Sequence, residues 1–123
     1  MAFSKSMDGG DYAALATSDL SAKLFFLAKI DSNAKIDLAG DGGAVAGVII
    51  EGAVAGFPAT IQTHGIAKVI CAETIAAGAR VASDASGKLV AAAVGDFEVG
   101  TALTGGDAND IIPVLLQSGR RHA

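Results

Sequence analysis

The side chains able to do chemistry are few. Two histidines, His64 and His122, and one cysteine, Cys71, stand among aspartates that fall mostly beside glycine or in turn-like strings. Acid–base or nucleophilic catalysis needs such groups within reach of a positioned partner. His64 lies in Thr63-His64-Gly65, with no acid or nucleophile set beside it, and reads as a polar turn residue. His122 falls in a polar tail, residues 118–123. Cys71 ends the run Ile66–Cys71, where alternation groups it with Ala67 and Val69 on a small-residue face. A thiol there behaves as a small hydrophobe, since a reactive one wants a nearby cation or helix N-terminus. A single cysteine allows neither an intramolecular disulfide nor a cysteine-based metal cluster.

The loop Gly105-Gly106-Asp107-Ala108-Asn109-Asp110 comes closest to a calcium loop but lacks the bidentate glutamate of an EF-hand. It reads as hydrophilic turn chemistry, as do Asp8, Asp11, Asp41, Asp84 and Asp96. Gly40, Gly42 and Gly43, and the pair Gly95 and Gly100, do not make a dinucleotide fingerprint, because no helix follows to receive a pyrophosphate. No catalytic, cofactor-binding or metal-ligating residue is assigned, and the chain is expected not to be an enzyme.

The elements around these residues read as β-structure. From Gly47 to Leu116 short apolar runs alternate with glycine-bearing turns. Strands are predicted at Thr60–Thr63, Ile66–Cys71, Ala79–Ser83, Lys88–Ala91, Phe97–Leu103 and Ile111–Leu116, with a brief one at Val48–Glu51. Asp84–Gly87 closes a hairpin with Gly87 as its left-handed residue. Upstream, Ser21–Ile30 and Lys35–Leu38 flank the turn Asp31-Ser32-Asn33 and are predicted to pair. Such spacing is the signature of an all-β fold, a small barrel or sandwich. No repeat of fixed period stands out. Ile111–Leu116 is apolar at nearly every position, so it is expected either at the centre of a sheet or in an interface.

With 123 residues the chain fits one domain, divided into an extended N-terminal arm at 1–18, a β domain at 19–117 and the polar tail. The apolar share is 51%, but aromatics supply only 5%, so much of the core must be alanine and valine. Such a core buries little area per residue, and part of the apolar surface is expected to be covered by partners. A net charge of −4, with Arg120-Arg121 the sole basic pair of note, argues against nucleic acid. The start, MAFSKSMDGGDY, has no apolar h-region, and no run has the length of a membrane span. Synthesis in a reducing, cytosol-like compartment is expected.

Several strings taken together resemble the small capsid cement, or head decoration, proteins of tailed bacteriophages. They are DLSAKLFFLAKI followed by a turn and KIDLA, then GVIIEGAVAGFPATIQTHGIAKVIC. After these come the spacing of Ile75, Gly78 and Val81, the string ASGKLV, and the close VGTAL with DIIPVLL. Each is generic alone; their order and spacing from Asp19 to Leu116 carry the resemblance. It implies a β-barrel or β-sandwich, β-tulip-like, on the outer surface of the virion capsid. It further implies a homotrimer that clamps neighbouring major capsid proteins, with no catalytic residues; neither nucleic acid nor a membrane is expected as a partner, from the charge and the run lengths above. The competing reading is a surface carbohydrate- or receptor-binding β module, for which five Phe, one Tyr and no Trp are a poor supply of ring platforms. In the arm, Phe3, Met7, Tyr12 and Leu15 are scattered apolar anchors, expected to order on a partner and contact the capsid.

Overall fold

The structure, a computed structural model, describes residues 11–122. The described residues are all β, with no helix. In chain order the strands are β1 (Asp11–Leu15), β2 (Leu27–Ile30), β3 (Ile36–Leu38), β4 (Gly47–Glu51) and β5 (Pro58–Gln62). They continue as β6 (Gly65–Ile70), β7 (Arg80–Ser83), β8 (Leu89–Ala91), β9 (Phe97–Ala102) and β10 (Ile111–Arg121). Two five-stranded antiparallel sheets result, ordered β1-β5-β4-β2-β3 and β6-β10-β9-β7-β8.

Each sheet then closes on itself. The residue after β1, Ala16, makes a parallel bridge to Ile36 of β3, the opposite edge. The residue after β6, Cys71, makes the same bridge to Leu89 of β8. Closure satisfies backbone groups that an open edge would leave unpaired. Small side chains at both positions suit it, since Ala16 and Cys71 are fully buried where strands converge.

The two sheets share one strand order, and the match extends to single bonds. Phe25 N–H donates to Ile49 O and Ile49 N–H to Phe26 O; in the second half Gly78 donates to Ala102 and Ala102 to Ala79. Asp31 Oδ1 accepts from the N–H groups of Asn33 and Lys35, and Asp84 Oδ1 from those of Ser86 and Lys88. Positive φ recurs at paired places: Phe25 and Gly78, Ala34 and Gly87, Gly42 and Gly95, Gly56 and Asn109. The chain therefore builds one backbone motif twice, a duplication of structure that its side chains do not display.

Cores repeat as well. Ala16, Leu20, Phe26, Ala28, Ile36, Ile49, Ala59 and Ile61 fill the first half. Their counterparts Cys71, Ile75, Val81, Leu89, Ala102, Ile112 and Val114 lie in the second cluster, with Ala79 partly buried against it. Volume is exchanged within the set: Phe26 stands beside small Ala28 and Ala59, whereas Ala79 has Val81 and Ile112, the swap that close packing permits. Leu27, Ala39 and Val48 of the first half pack into the second cluster, so the halves share a core.

Three expectations change. Only Leu27–Ile30 of the segment 21–30 is strand; the stretch before it turns, with Phe25 at φ 70°. Residues 11–15, placed in a free arm by composition, form β1, paired along its length with β5 from Asp11↔Gln62 to Leu15↔Pro58. Polar Asp11 and small Ala13 and Ala14 mask that strand. The tail is also strand: β10 runs to Arg121, re-registering on β9 after a shift between Leu116 and Arg120. The expected all-β barrel or sandwich is otherwise the architecture observed.

Two glycines at matching places let strands approach. A Cβ on Gly47 would overlap Gln62 O, and one on Gly100 would overlap Leu115 O. Backbone cannot rotate aside as a side chain can, so Gly100→Ala should lower stability by about 2 kcal/mol or more. Gly40, with nothing within 4 Å of such a Cβ, should accept Ala almost without effect. Thermal unfolding of both variants checks this.

Candidate functional site

The residues singled out for chemistry are dispersed. His64 is exposed in the Thr63-His64 corner between β5 and β6. Gln62 Nε2 holds that corner by donating to His64 O at 3.0 Å and Ile66 O at 2.9 Å. Cys71 is buried, and burial, followed by the nearby charges of Asp110 and Asp107, pushes its thiol up from the usual range. In the Gly105–Asp110 loop, Asp110 Oδ2 accepts from Asp107 N–H at 2.9 Å and Thr74 Oγ1 donates to Asp107 Oδ1 at 3.3 Å. Among the described residues no group of three His, Cys, Asp or Glu is placed to hold a metal ion.

A buried charged cluster among the described residues went unread in the sequence. Glu98 of β9 is 1% exposed. Its Oε1 accepts from Arg80 Nε at 2.9 Å and Nη2 at 2.5 Å. Arg80 Nη1 also donates to Thr101 Oγ1 at 2.7 Å and Gln117 Oε1 at 3.2 Å. His122 Nδ1 lies 2.7 Å from Glu98 Oε2. A carboxylate beside an arginine only accepts hydrogen bonds, so Nδ1 carries the proton. The backbone of His122 is held too, donating to Asp96 O and accepting from Gly95 N–H. His122 thus fastens the end of β10 rather than hanging in a tail. Arg80 and His122 thus hold the buried carboxylate from two sides.

In the first half Leu27 and Val45 occupy the places of Arg80 and Glu98, both packed in the core. The cluster is specific to the half that carries the extended β10.

The surface holds the remaining candidates. Of the four expected contact residues, Phe3 and Met7 lie outside the described residues. Tyr12 is half-buried against the first core. Leu15 is exposed, at the corner where Phe57 and Val54 are exposed too. Ile66 of β6 and Ile111 of β10 are exposed near opposite ends of the β6–β10 pairing, and Leu103, just after β9, is exposed too. No helix among the described residues is long and apolar enough to cross a membrane.

Comparison with known proteins adds a family. The family profile described as phage cement protein matches residues 11–116. That span runs from the first residue of β1 to the point where β10 shifts register. Among solved structures the chain is similar to the head fiber gp8.5 N base in bacteriophage phi29, with a TM-score of 0.70 and 15% identity. The match covers 91% of this chain and 98% of that one. No curated protein matches.

Two outcomes follow. Arg80→Leu strands a buried carboxylate and should cost about 2–3 kcal/mol, whereas Arg80→Leu with Glu98→Val, which installs the first half's pair, should recover most of it. Urea unfolding of the single and double variants reads the difference. Cys71 should react with a thiol reagent at neutral pH only as fast as the protein opens, and Cys71→Ala, which installs the first half's residue, should cost about 1 kcal/mol or less.

Proposed function

Since the chain belongs to the phage cement protein family, we propose that it is a structural, non-enzymatic subunit on the outer surface of a tailed-phage head, stabilising contacts between major capsid proteins. It is made in the host cytoplasm and joins the particle there. The observation that carries this reading is that the family match spans both halves of the duplicated fold. Two of the groups that would do chemistry support it, because Cys71 is buried in the core and His122 is bonded to Glu98. A cement subunit needs a rigid body and apolar surface, and the duplicated closed sheets supply both.

Self-association as a homotrimer belongs to the same proposal. Ile66, Leu103 and Ile111, exposed on or beside the second sheet, are the apolar surface it would cover. Symmetric closure buries such a surface without leaving a sticky end. Residues 1–10, with Phe3 and Met7, are a further proposed capsid contact. Many modest contacts repeated over a shell add up to firm decoration.

The test adds purified protein to heads from a phage deleted for this chain. Saturable binding, a higher temperature of DNA release, and a trimer's mass by light scattering are expected. Deletion of residues 1–10 should leave thermal unfolding unchanged and weaken binding, whereas a deletion reaching Asp19 removes β1 and should unfold the domain. Absence of binding by the full chain would overturn the reading.

A further inference from the structure

The duplication supplies an internal control for the surface, because one backbone corner is built twice. In the first half Ala16 N–H donates to Phe57 O, Gly56 N–H to Ala16 O, and Phe57 N–H to Val54 O. In the second, Cys71 N–H donates to Asp110 O, Asn109 N–H to Cys71 O, and Asp110 N–H to Asp107 O. Gly56 and Asn109 take the same left-handed conformation, at φ 83° and 70°. The bonds match one for one; the side chains do not. Asp107 and Asp110 stand in the second corner where the first carries Val54 and Phe57, which are 48% and 61% exposed. Leu15, paired with Pro58 at the end of β1, adds a third exposed apolar side chain at 44%.

Folding therefore does not require apolar residues at this corner, since the second half makes it with aspartates. Exposed Val, Leu and Phe lose free energy in water that aspartates would not lose. A surface kept apolar against that cost has a use. Together the three side chains expose on the order of 250 Å². A stable soluble interface takes about 800 Å² from each partner, so this corner alone is too small to hold two copies together. It is the right size for one anchor in a contact repeated many times over a shell. The chain before Asp11 joins β1 at the Gln62 end, away from the Leu15–Pro58 end. The corner therefore lies at the opposite end of β1 from Asp11.

We infer that the corner formed by Leu15, Val54 and Phe57 is an anchor by which this chain docks on the phage capsid shell, seating Phe57 in an apolar recess of the capsid protein. The inference rests on the cement reading above. Phe57 supplies the large rigid side chain that dominates such contacts, and Val54 and Leu15 exclude water around it.

The experiment copies the second corner onto the first. Full-length Val54→Asp/Phe57→Asp protein is compared with wild type for binding to heads from the deleted phage. Far-UV circular dichroism, thermal unfolding and mass by light scattering are measured alongside. The variant should fold with nearly unchanged Tm and unchanged mass, and bind heads at least about ten-fold more weakly. Val94→Asp, altering a lone apolar residue that is 82% exposed elsewhere, should bind as wild type. If wild type does not bind heads, the cement reading itself fails. If wild type binds and the double variant binds equally, the anchor is wrong while the cement reading stands. A change in oligomeric mass would make the corner a self-contact and overturn the inference likewise. Should the double aspartate variant fail to fold, Phe57→Ser carries the same comparison, and undiminished binding by it refutes the anchor.

Discussion

Two small residues hold this architecture closed. Ala16 and Cys71 each follow the first strand of a sheet, and the peptide groups around each reach both of its ends. At Ala16, the N–H and C=O pair with the Phe57 and Gly56 peptides, and Thr17 N–H donates to Ile36 O. At Cys71 the partners are Asp110, Asn109 and, through Ala72, Leu89. Without these bonds each sheet would present two open edges. With them, short strands of three to six residues suffice for nine of the ten elements, because closure supplies what strand length does not. The need for a small buried side chain at the junction also explains the one cysteine without invoking reactivity.

From that constraint the rest separates into what the fold demands and what it leaves free. Positions that the halves share are structural: the Asp31 and Asp84 turns, the close glycines 47 and 100, the paired core residues. Positions where they differ carry what is particular to one half. Arg80 and Glu98 replace an apolar pair, and with His122 they sit where β10 runs on past the register shift to fasten its end. A buried ion pair rarely adds stability over hydrophobic residues of similar volume, and its better-attested use is to specify one arrangement. Here the arrangement is the docking of the chain's last strand. Val54 and Phe57 against Asp107 and Asp110 are the converse case, an apolar departure on the surface.

Much of this was legible from residue patterns, and the illegible part has physical causes. Strand positions from Pro58 onward followed from apolar runs and glycine turns, and the alternation that set Ala67, Val69 and Cys71 on one face matches their shared burial. Gly87 takes the left-handed conformation its turn required, at φ 83°. The segment 21–26 misled because its apolar residues alternate like a strand, while Phe25 turns in the place that a glycine fills in the other half. The repeated structure escaped notice because only turn aspartates and close-approach glycines recur, and the step from Leu20 to Lys23 is two residues longer than that from Ile75 to Ala76. Glu98 gave no local signal, because its partners Arg80 and His122 come from distant parts of the chain. No local pattern reports a closure made by a parallel bridge.

The account holds that the shared half-structure is scaffold and that its unshared apolar corner is what meets the shell. A cryo-EM map of heads carrying the chain tests this most directly. The account predicts density for the subunit at capsomer junctions, with the Leu15–Phe57 corner against capsid protein and the Asp107–Asp110 corner toward solvent. A subunit seated the other way round, with the aspartate corner on the shell and Phe57 in water, would contradict it.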